Sequence, residues 1–170
     1  MNDDIDERIL TILQADARTS NAEIARQLGM TPSAILERIR KLEARGVILS
    51  YETRLNPRAL DAGLLAFVFV RDEGPYGTLK TGAALAAIPE VQEVHNVAGE
   101  DCYLVKVRVA NTDELGRLLR ERFGSIPSIR ATRTTIVLDT LKESAQVSLA
   151  RSFSAAESDS RRQETSDGER

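Results

Sequence analysis

Apolar residues in the first third of the chain recur at the spacing of amphipathic helices. Residues 4–15 have this helical period, which predicts a first helix. Ser20, followed three residues later by Glu23, forms a capping-box pattern that predicts the start of a second helix. Gly29 then predicts its end, because glycine readily adopts the left-handed conformation that closes many helices.

A third helix is predicted immediately after this glycine. Thr31 is a favourable N-cap, and Pro32 stands at the first helical position, where a missing N–H costs little. Gly46 predicts the end of this helix, before the short apolar run "VILSY". Three short helices followed by a strand are typical of a winged helix-turn-helix, which we predict over residues 1–55.

The remainder of the chain predicts a second domain and a tail. Residues 56–61 contain Asn-Pro and are predicted as a linker. Over residues 62–142 the segments "LLAFVFV", "TGAALAAI", "VQEVHNV", "CYLVKVRV", "TDELGRLLRERF" and "IRATRTTIVL" alternate in the order βαββαβ. The predicted fold class is therefore α+β, with a ferredoxin-like second domain. Residues 143–170 are rich in Ser, Glu, Asp and Arg and are predicted to form a disordered tail.

The first strand of this domain predicts self-association. Its sequence "LLAFVFV" is apolar on both faces, whereas both helices of a ferredoxin-like unit cover only one face of the sheet. We therefore expect the uncovered face to meet a second subunit in a homodimer or a higher homo-oligomer.

Composition excludes several classes of protein. The 170-residue chain contains one cysteine and one histidine, so an internal disulfide and a Cys/His zinc site within one chain are excluded. No apolar run approaches the roughly 20 residues of a membrane span, and the N-terminus is acidic, unlike a signal peptide. We expect a cytoplasmic, nucleoid-associated protein that does not bind membranes, and no metal or cofactor.

The net charge of −3 contrasts with the third predicted helix, which is rich in cations. At about 100° per residue, its apolar positions form one stripe, and Ser33, Glu37 and Arg40 lie opposite. One interpretation is a solvated amphipathic helix in which Glu37 and Lys41 form a simple i,i+4 pair. The other is a DNA-recognition helix, favoured by the short turn that joins it to the preceding capped helix.

On the second interpretation, three side chains contact base edges and the others contact phosphates. Arginine suits guanine and glutamate suits the cytosine amino group, whereas the remaining cations suit the backbone of double-stranded DNA. The residues expected to contact DNA are Ser33, Glu37, Arg38, Arg40, Lys41, Arg45 and, from the wing, Arg54.

With these elements and motifs, the chain resembles the Lrp/AsnC family of feast/famine regulators. The resemblance covers "DERILTILQADARTSNAEIARQLGMTPSAILERIRKLEARGVILSYETRLNP" and the glycine-centred segment "VAGEDCYLVKV", within residues 4–142. It implies a transcriptional regulator whose second domain dimerises and binds small effectors, commonly amino acids, at subunit interfaces near the turn between the second and third strands. The family pattern most often has Gly-x-x-Asp, whereas this chain has Cys102 in the usual Asp position and Asp101 one place earlier.

The turn at Gly99 and the strand after it provide candidate effector contacts. Alternation places Tyr103 and every second residue after it on a core face, and Cys102 with Leu104 on the other face. Backbone groups at a glycine turn can hold the charged groups of a ligand. Alternatively, Cys102 is a small buried thiol at an interface, and β-propensity alone explains the threonines of the last strand. The residues expected to contact an effector are Gly99, Glu100, Asp101, Cys102, Tyr103, Leu104, Thr132 and Thr134.

Two other functions remain open on the sequence. A hairpin centred on Gly99 would place Cys102 and His95 on one face, where they could act as nucleophile and base of an enzyme. The chain has no second histidine, and no helix starts at the cysteine to favour its thiolate form. We therefore expect no catalysis. An architectural DNA-binding protein without an effector is the other alternative. The sequence favours a sequence-specific regulator that responds to an amino acid or a related metabolite.

Overall fold

The structure is a computed structural model that describes residues 4–73 and 79–149. Its helices are α1 (Asp4–Ala15), α2 (Asn21–Leu28), α3 (Pro32–Ala44), α4 (Lys80–Ala86) and α5 (Thr112–Leu118). Its strands are β1 (Leu64–Asp72), β2 (Val91–Asn96), β3 (Tyr103–Val109) and β4 (Ile129–Ile136). The order of three helices followed by βαββαβ confirms the predicted helix-turn-helix and ferredoxin-like architecture. Within the described ranges, no helix is long and apolar enough to cross a membrane.

The chain forms two compact units. Among the described residues, one contains residues 4–53 and 144–149, and the other contains residues 54–73 and 79–143. Residues 56–61, predicted as a linker, belong to the second unit and include the 3-10 turn Pro57–Leu60. Asn56 caps that turn by accepting a hydrogen bond at 3.1 Å from the backbone N–H of Arg58.

Helices α2 and α3 begin at the predicted caps. The side-chain oxygens of Ser20 and Thr31 each accept a hydrogen bond from the backbone N–H three residues later, at 3.2 and 3.3 Å. Glu23, predicted to complete a capping box, instead accepts hydrogen bonds from the side chains of Arg26 and Gln27. These bonds lower the pKa of Glu23 to about 2.

Both of these helices end at a glycine in the left-handed conformation. Gly29 and Gly46 each have φ of 67°. At the end of α3, the N–H of Val47 donates to the carbonyl of Leu42 and the N–H of Gly46 donates to the carbonyl of Glu43, each at 2.9 Å. This pair of hydrogen bonds is the Schellman arrangement, which satisfies carbonyls that the helix leaves open.

The segment after α3 departs from the sequence prediction. The described chain has no strand over residues 45–56, so the strand predicted in "VILSY" does not form within this chain. The hydroxyl of Tyr51 instead donates to the carboxylate of Glu43 at 2.9 Å and ties this segment to α3. A strand needs a partner for its backbone groups, and β-propensity in "VILSY" cannot supply one.

An apolar core holds the three N-terminal helices together. It consists of one stripe from each helix, as the helical period predicts. The buried residues of this core are Ile9, Leu10, Ile24, Ala25, Ile35, Ile39 and Leu42.

Residues 144–149 belong to the same unit through specific contacts. The side-chain amide of Gln14 binds the backbone of Val147 twice, accepting from its N–H at 2.7 Å and donating to its carbonyl at 3.2 Å. The side chain of Gln146 donates to the Gln14 carbonyl at 2.9 Å, and Leu149 packs against the helical core. The predicted disordered tail is therefore corrected over residues 143–149, whereas residues 150–170 lie outside the described residues.

The second unit is an antiparallel sheet in the order β2-β3-β1-β4, with α4 and α5 packed on one face. Side chains alternate between the two faces, and those toward the helices form the core. That core contains Ala66, Val68, Val70, Leu85, Ile88, Tyr103, Val105, Val107, Val109, Leu115, Leu118 and Phe123. We call the opposite side the open face, and it carries Leu65, Phe67, Phe69, Leu104, Lys106, Arg108, Arg133 and Thr135.

Glu143, which follows β4, is anchored on the open face. Its carboxylate accepts hydrogen bonds from Lys106 at 2.5 Å and from Arg108 at 2.9 Å. Its backbone carbonyl accepts a third from Arg54 at 2.6 Å. The hydrogen bond from Lys106, with the charge of Arg108, lowers the pKa of Glu143. The chain is thus fixed to the sheet immediately before it enters the other unit.

Candidate DNA-reading surface and effector site

The outward face of α3 presents the polar residues predicted to read DNA. Ser33, Glu37, Arg40 and Lys41 are exposed, and the core residues of α3 lie on its other side. Ser33 lies in the first turn, where its hydroxyl is 3.1 Å from that of Thr31. The N-terminal half of this helix therefore displays short polar groups, and its C-terminal half displays cations.

Two of the exposed charges on α3 are paired with each other. Lys41 and Glu37 form an i,i+4 ion pair at 2.7 Å, which lowers the pKa of Glu37. Both side chains are 68% exposed, so the pair is open to exchange with an outside partner. Arg40 and Arg45 are exposed and have no ion pair within the described part of the chain.

Arg38 lies in different surroundings from those predicted. Its Nη1 donates to Oδ1 of Asp6 in α1 at 2.8 Å, and both side chains are mostly buried. The ion pair links α1 to α3 beneath the outward face. Arg38 is therefore a structural residue of the helical unit, and its prediction as a phosphate contact is corrected. On α3 it lies between the apolar stripe and the polar face, and the helical period alone does not show which residue of another helix packs there.

Arg54 is also placed differently. It belongs to the second unit, where its guanidinium binds the backbone carbonyl of Glu143 at 2.6 Å. The predicted DNA contacts that share the outward side of the helical unit are thus Ser33, Glu37, Arg40, Lys41 and Arg45.

The predicted effector segment connects β2 and β3 at one end of the sheet. Gly99 has φ of 135°, a conformation that L-residues with a side chain rarely adopt. No heavy atom of another residue would lie within 4 Å of a Cβ at this position, so the glycine is required by its backbone conformation rather than by crowding.

Tyr103 is a core residue and not an effector contact. It is 2% exposed and lies against α4, where a Cβ on Gly82 would come within 2.9 Å of its ring. The alternation along β3 predicted this core face correctly. The prediction of Tyr103 as an effector contact is corrected, because its side chain is buried in that core.

The two threonines of β4 do not share a face with Leu104. Thr132 and Thr134 pair with Val70 and Val68, which point into the core, whereas Leu104 pairs with Phe69 on the open face. The register of β4 against β1 therefore separates the threonines from the Gly99 loop on the open face, and this register is not visible in the sequence.

Glu100 and Asp101, by contrast, converge on the open face with two arginines that the sequence analysis missed. Arg71 donates to Glu100 at 2.7 Å, and Arg133 donates to Asp101 at 2.9 Å. The Arg133 guanidinium also lies over the ring of Phe69, 4.0 Å from its centroid. The signal in the sequence was the positive charge of Arg71 on β1 and of Arg133 on β4, two strands that pair with each other.

Cys102 and His95 have separate partners. The Cys102 sulfur is 3.6 Å from the carbonyl of Asp72, and the residue packs against the core. The His95 ring is 3.2 Å from the Glu93 carboxylate. The arrangement matches a half-buried structural thiol and gives no support to a nucleophile–base pair.

The fold and these surfaces define a DNA-binding regulator with a helix-turn-helix unit followed by a ferredoxin-like unit. Residues 3–43 match the model of the AsnC-type helix-turn-helix domain, and residues 65–147 match that of the Lrp/AsnC ligand-binding domain. The chain belongs to the Lrp/AsnC family of transcriptional regulators, a class of regulators and not of enzymes.

Known proteins agree with this assignment. The leucine-responsive regulatory protein of Salmonella typhimurium is 40% identical over 144 residues, covering 84% of this chain and 88% of that protein. The feast or famine regulatory protein of M. tuberculosis, solved with L-methionine, is 37% identical with a TM-score of 0.79, covering 86% of this chain and 99% of that chain. A regulator from Neisseria meningitidis, also solved with L-methionine, shares the fold at 24% identity and a TM-score of 0.84, covering 90% and 100% of the two chains.

Proposed function

We propose that this regulator binds operator DNA through the outward face of α3 and that an amino acid bound beside the Gly99 loop changes its DNA affinity. The observation that carries the DNA contact is the exposed set of Ser33, Glu37, Arg40 and Lys41 on the second helix of an AsnC-type helix-turn-helix. Short polar groups at the start of such a helix suit base edges in the major groove.

The effector half of the proposal is supported by the second unit. It matches the family's ligand-binding domain, and a relative 37% identical to this chain was solved with L-methionine. The loop around Gly99 brings backbone groups and the two carboxylates of Glu100 and Asp101 to one end of the sheet. These groups suit the charged ends of an amino acid.

The proposed active form is a homodimer or a larger homo-oligomer in the cytoplasm, associated with the nucleoid. Two helix-turn-helix units that are held together in one oligomer bind two operator half-sites more tightly than a single unit binds a single half-site. The reason is that binding of the second half-site becomes intramolecular. An effector bound at a subunit interface would alter the spacing between the helix-turn-helix units.

The test is a DNA titration of the full chain. An operator is first selected from a random duplex pool, and its affinity is measured by fluorescence anisotropy with and without each of the protein amino acids. We expect at least one amino acid to change the affinity by about 5–150-fold, and DNA to change amino-acid affinity by the same factor. An affinity that no amino acid alters would favour the architectural alternative. Equal affinity for selected and scrambled DNA would exclude sequence-specific recognition.

A further inference from the structure

The chain passes from one unit to the other twice, once after Thr53 and once after Glu143. We call residues 52–53 the first passage and residues 144–145 the second passage. In each unit, hydrogen bonds hold the chain directly before or after both passages, and these bonds determine how much of the chain is left to bend.

The first passage is held on its helical side by the segment after α3. The N–H groups of Val47 and Ile48 both donate to the carbonyl of Leu42, at 2.9 and 3.3 Å, and Ile48 packs against the helical core. The hydroxyl of Tyr51 then donates to Glu43 at 2.9 Å. Partial burial and this hydrogen bond raise the pKa of Tyr51 to about 12, so the hydroxyl keeps the proton that it donates. The chain is therefore fixed to α3 as far as Tyr51.

The second passage is held on its helical side by α1. The side chain of Gln146 donates to the backbone carbonyl of Gln14 at 2.9 Å. The side-chain amide of Gln14 in turn binds the N–H and the carbonyl of Val147, and Leu149 packs against the helical core. The chain is therefore fixed to α1 from Gln146 onward.

On the sheet side, one hydrogen bond joins the ends of both passages. Arg54 follows the first passage, and it donates at 2.6 Å to the backbone carbonyl of Glu143, which precedes the second. Lys106 and Arg108 hold the carboxylate of Glu143 on β3. Each passage thus has only two residues between fixed points, and two residues separate the flanking Cα atoms by at most about 11 Å.

Two short passages restrict rotation more than a single linker does. A single linker permits rotation about each of its φ and ψ angles, so the unit that it carries can turn. Here Tyr51 is attached to α3 and Gln146 is attached to α1. Rotation of the helical unit would move these two attachments in different directions, and passages of two residues cannot lengthen to follow them.

We propose that the two passages fix the spacing of operator half-sites that this regulator accepts, with Tyr51 and Gln14 as positioning residues. The inference rests on the proposed binding of operator DNA by a homo-oligomer, and it names what limits the rotation of each helix-turn-helix unit. Half-sites on one side of the duplex are separated by whole turns of about 10.5 base pairs. A spacing changed by half a turn requires a unit to rotate, which both passages resist.

The experiment is fluorescence anisotropy of the full chain on the selected operator and on duplexes in which the half-site spacing changes in single-base-pair steps over about one helical turn. A duplex with a single half-site is titrated in parallel. The wild type should bind the half-turn change at least about tenfold more weakly than the selected spacing, because it cannot engage both half-sites at once. This ratio of affinities is the spacing penalty.

Tyr51→Phe and Gln14→Leu each remove the side-chain hydrogen bonds that hold one passage. Each variant should reduce the spacing penalty by at least about threefold, and the double variant should remove most of it. Affinity for the single half-site should stay unchanged, because the outward face of α3 is intact. A variant that merely destabilised the helical unit would weaken binding at every spacing and leave the penalty as it was.

Thr11→Val is the matched control. Thr11 also lies on α1, but its hydroxyl donates to the carbonyl of Glu7 within the same helix at 2.9 Å, so the full spacing penalty should remain. An undiminished penalty in the double variant would overturn this inference alone, as would an equal reduction in Thr11→Val. A wild type that binds the selected half-sites equally well at every spacing would do the same. If selection yields no paired half-sites, the inference falls together with the proposed operator binding by a homo-oligomer.

Discussion

Arg38 and Arg40 stand two residues apart on α3, yet their guanidinium groups have opposite surroundings. Arg38 is mostly buried against Asp6, and Arg40 is exposed. Removing one member of a buried pair leaves the other charge without compensation. We expect Arg38→Met to lower the free energy of unfolding by about 1–3 kcal/mol and the exposed control Arg40→Met to change it by less than about 0.5 kcal/mol. Chemical denaturation measures both, and equal stability of the two variants would contradict the assignment.

Arg40 and Lys41 should affect DNA binding in different ways. Arg40 lies on the outward face with no ion pair among the described residues, so we expect Arg40→Ala to relax preference at one operator position by about 1–3 kcal/mol. Lys41→Ala should weaken binding to all sequences and flatten the salt dependence, as loss of a phosphate contact does. Anisotropy titrations on the operator and on single-base variants measure both effects. Equal loss on specific and random DNA for Arg40→Ala would make it a phosphate contact.

Glu143 gives a pH-dependent contribution to stability. Its hydrogen bond with Lys106 lowers its pKa in the folded state below 4.5, the ordinary value of a glutamate side chain. The stabilisation is therefore complete above that value and is lost as the pH falls through the folded pKa. We expect Glu143→Gln to have a lower Tm than wild type at about pH 7 and the difference to shrink toward about pH 3. A difference that stays constant with pH would show that the charge of Glu143 contributes nothing.

Among the elements, residues 144–149 behave as part of the helical unit. They bind Gln14 through three hydrogen bonds and place Leu149 against the helical core. We expect truncation after Glu143 to destabilise this unit by about 1–2 kcal/mol, the scale of burying one aliphatic side chain. Hydrogen exchange of the α1 amides measures the effect. Truncation after residue 150 keeps the segment and is the control, so equal protection in both truncated chains would refute the role.

At the scale of the whole molecule, we expect the open face to form the interface of the proposed homo-oligomer. Phe67 and Phe69 are only half-buried there, in the centre of a sheet that helices cover on its other side. We expect the full chain to sediment as a dimer or larger at micromolar concentration and Phe67→Asp to shift it toward monomer and weaken operator binding. Leu79→Asp, an exposed position next to α4, is the control. A wild type that sediments as a monomer would contradict the arrangement, provided that circular dichroism shows a folded chain.

The sequence by itself determined the features that depend on neighbours along the chain. Thr31, Pro32 and Gly46 set the bounds of α3 through caps and a left-handed turn, which involve only adjacent residues. The helical period identified the outward face of α3, and alternation identified the core face of β3. The order of elements followed from these local signals, and the family resemblance followed from the order and the motifs.

Only the tertiary structure decided the features that join distant residues. Asp6 and Arg38 are 32 positions apart, as are Asp101 and Arg133, and both pairs form because packing and strand register bring them together. The same register placed Thr132 and Thr134 on the other face from Leu104, and residues 45–56, which have no partner strand within the described chain, form no strand. Caps and periodicity arise within one or two turns of chain, whereas ion pairs and strand partners depend on which surfaces meet in three dimensions, and one sequence without its fold does not specify that.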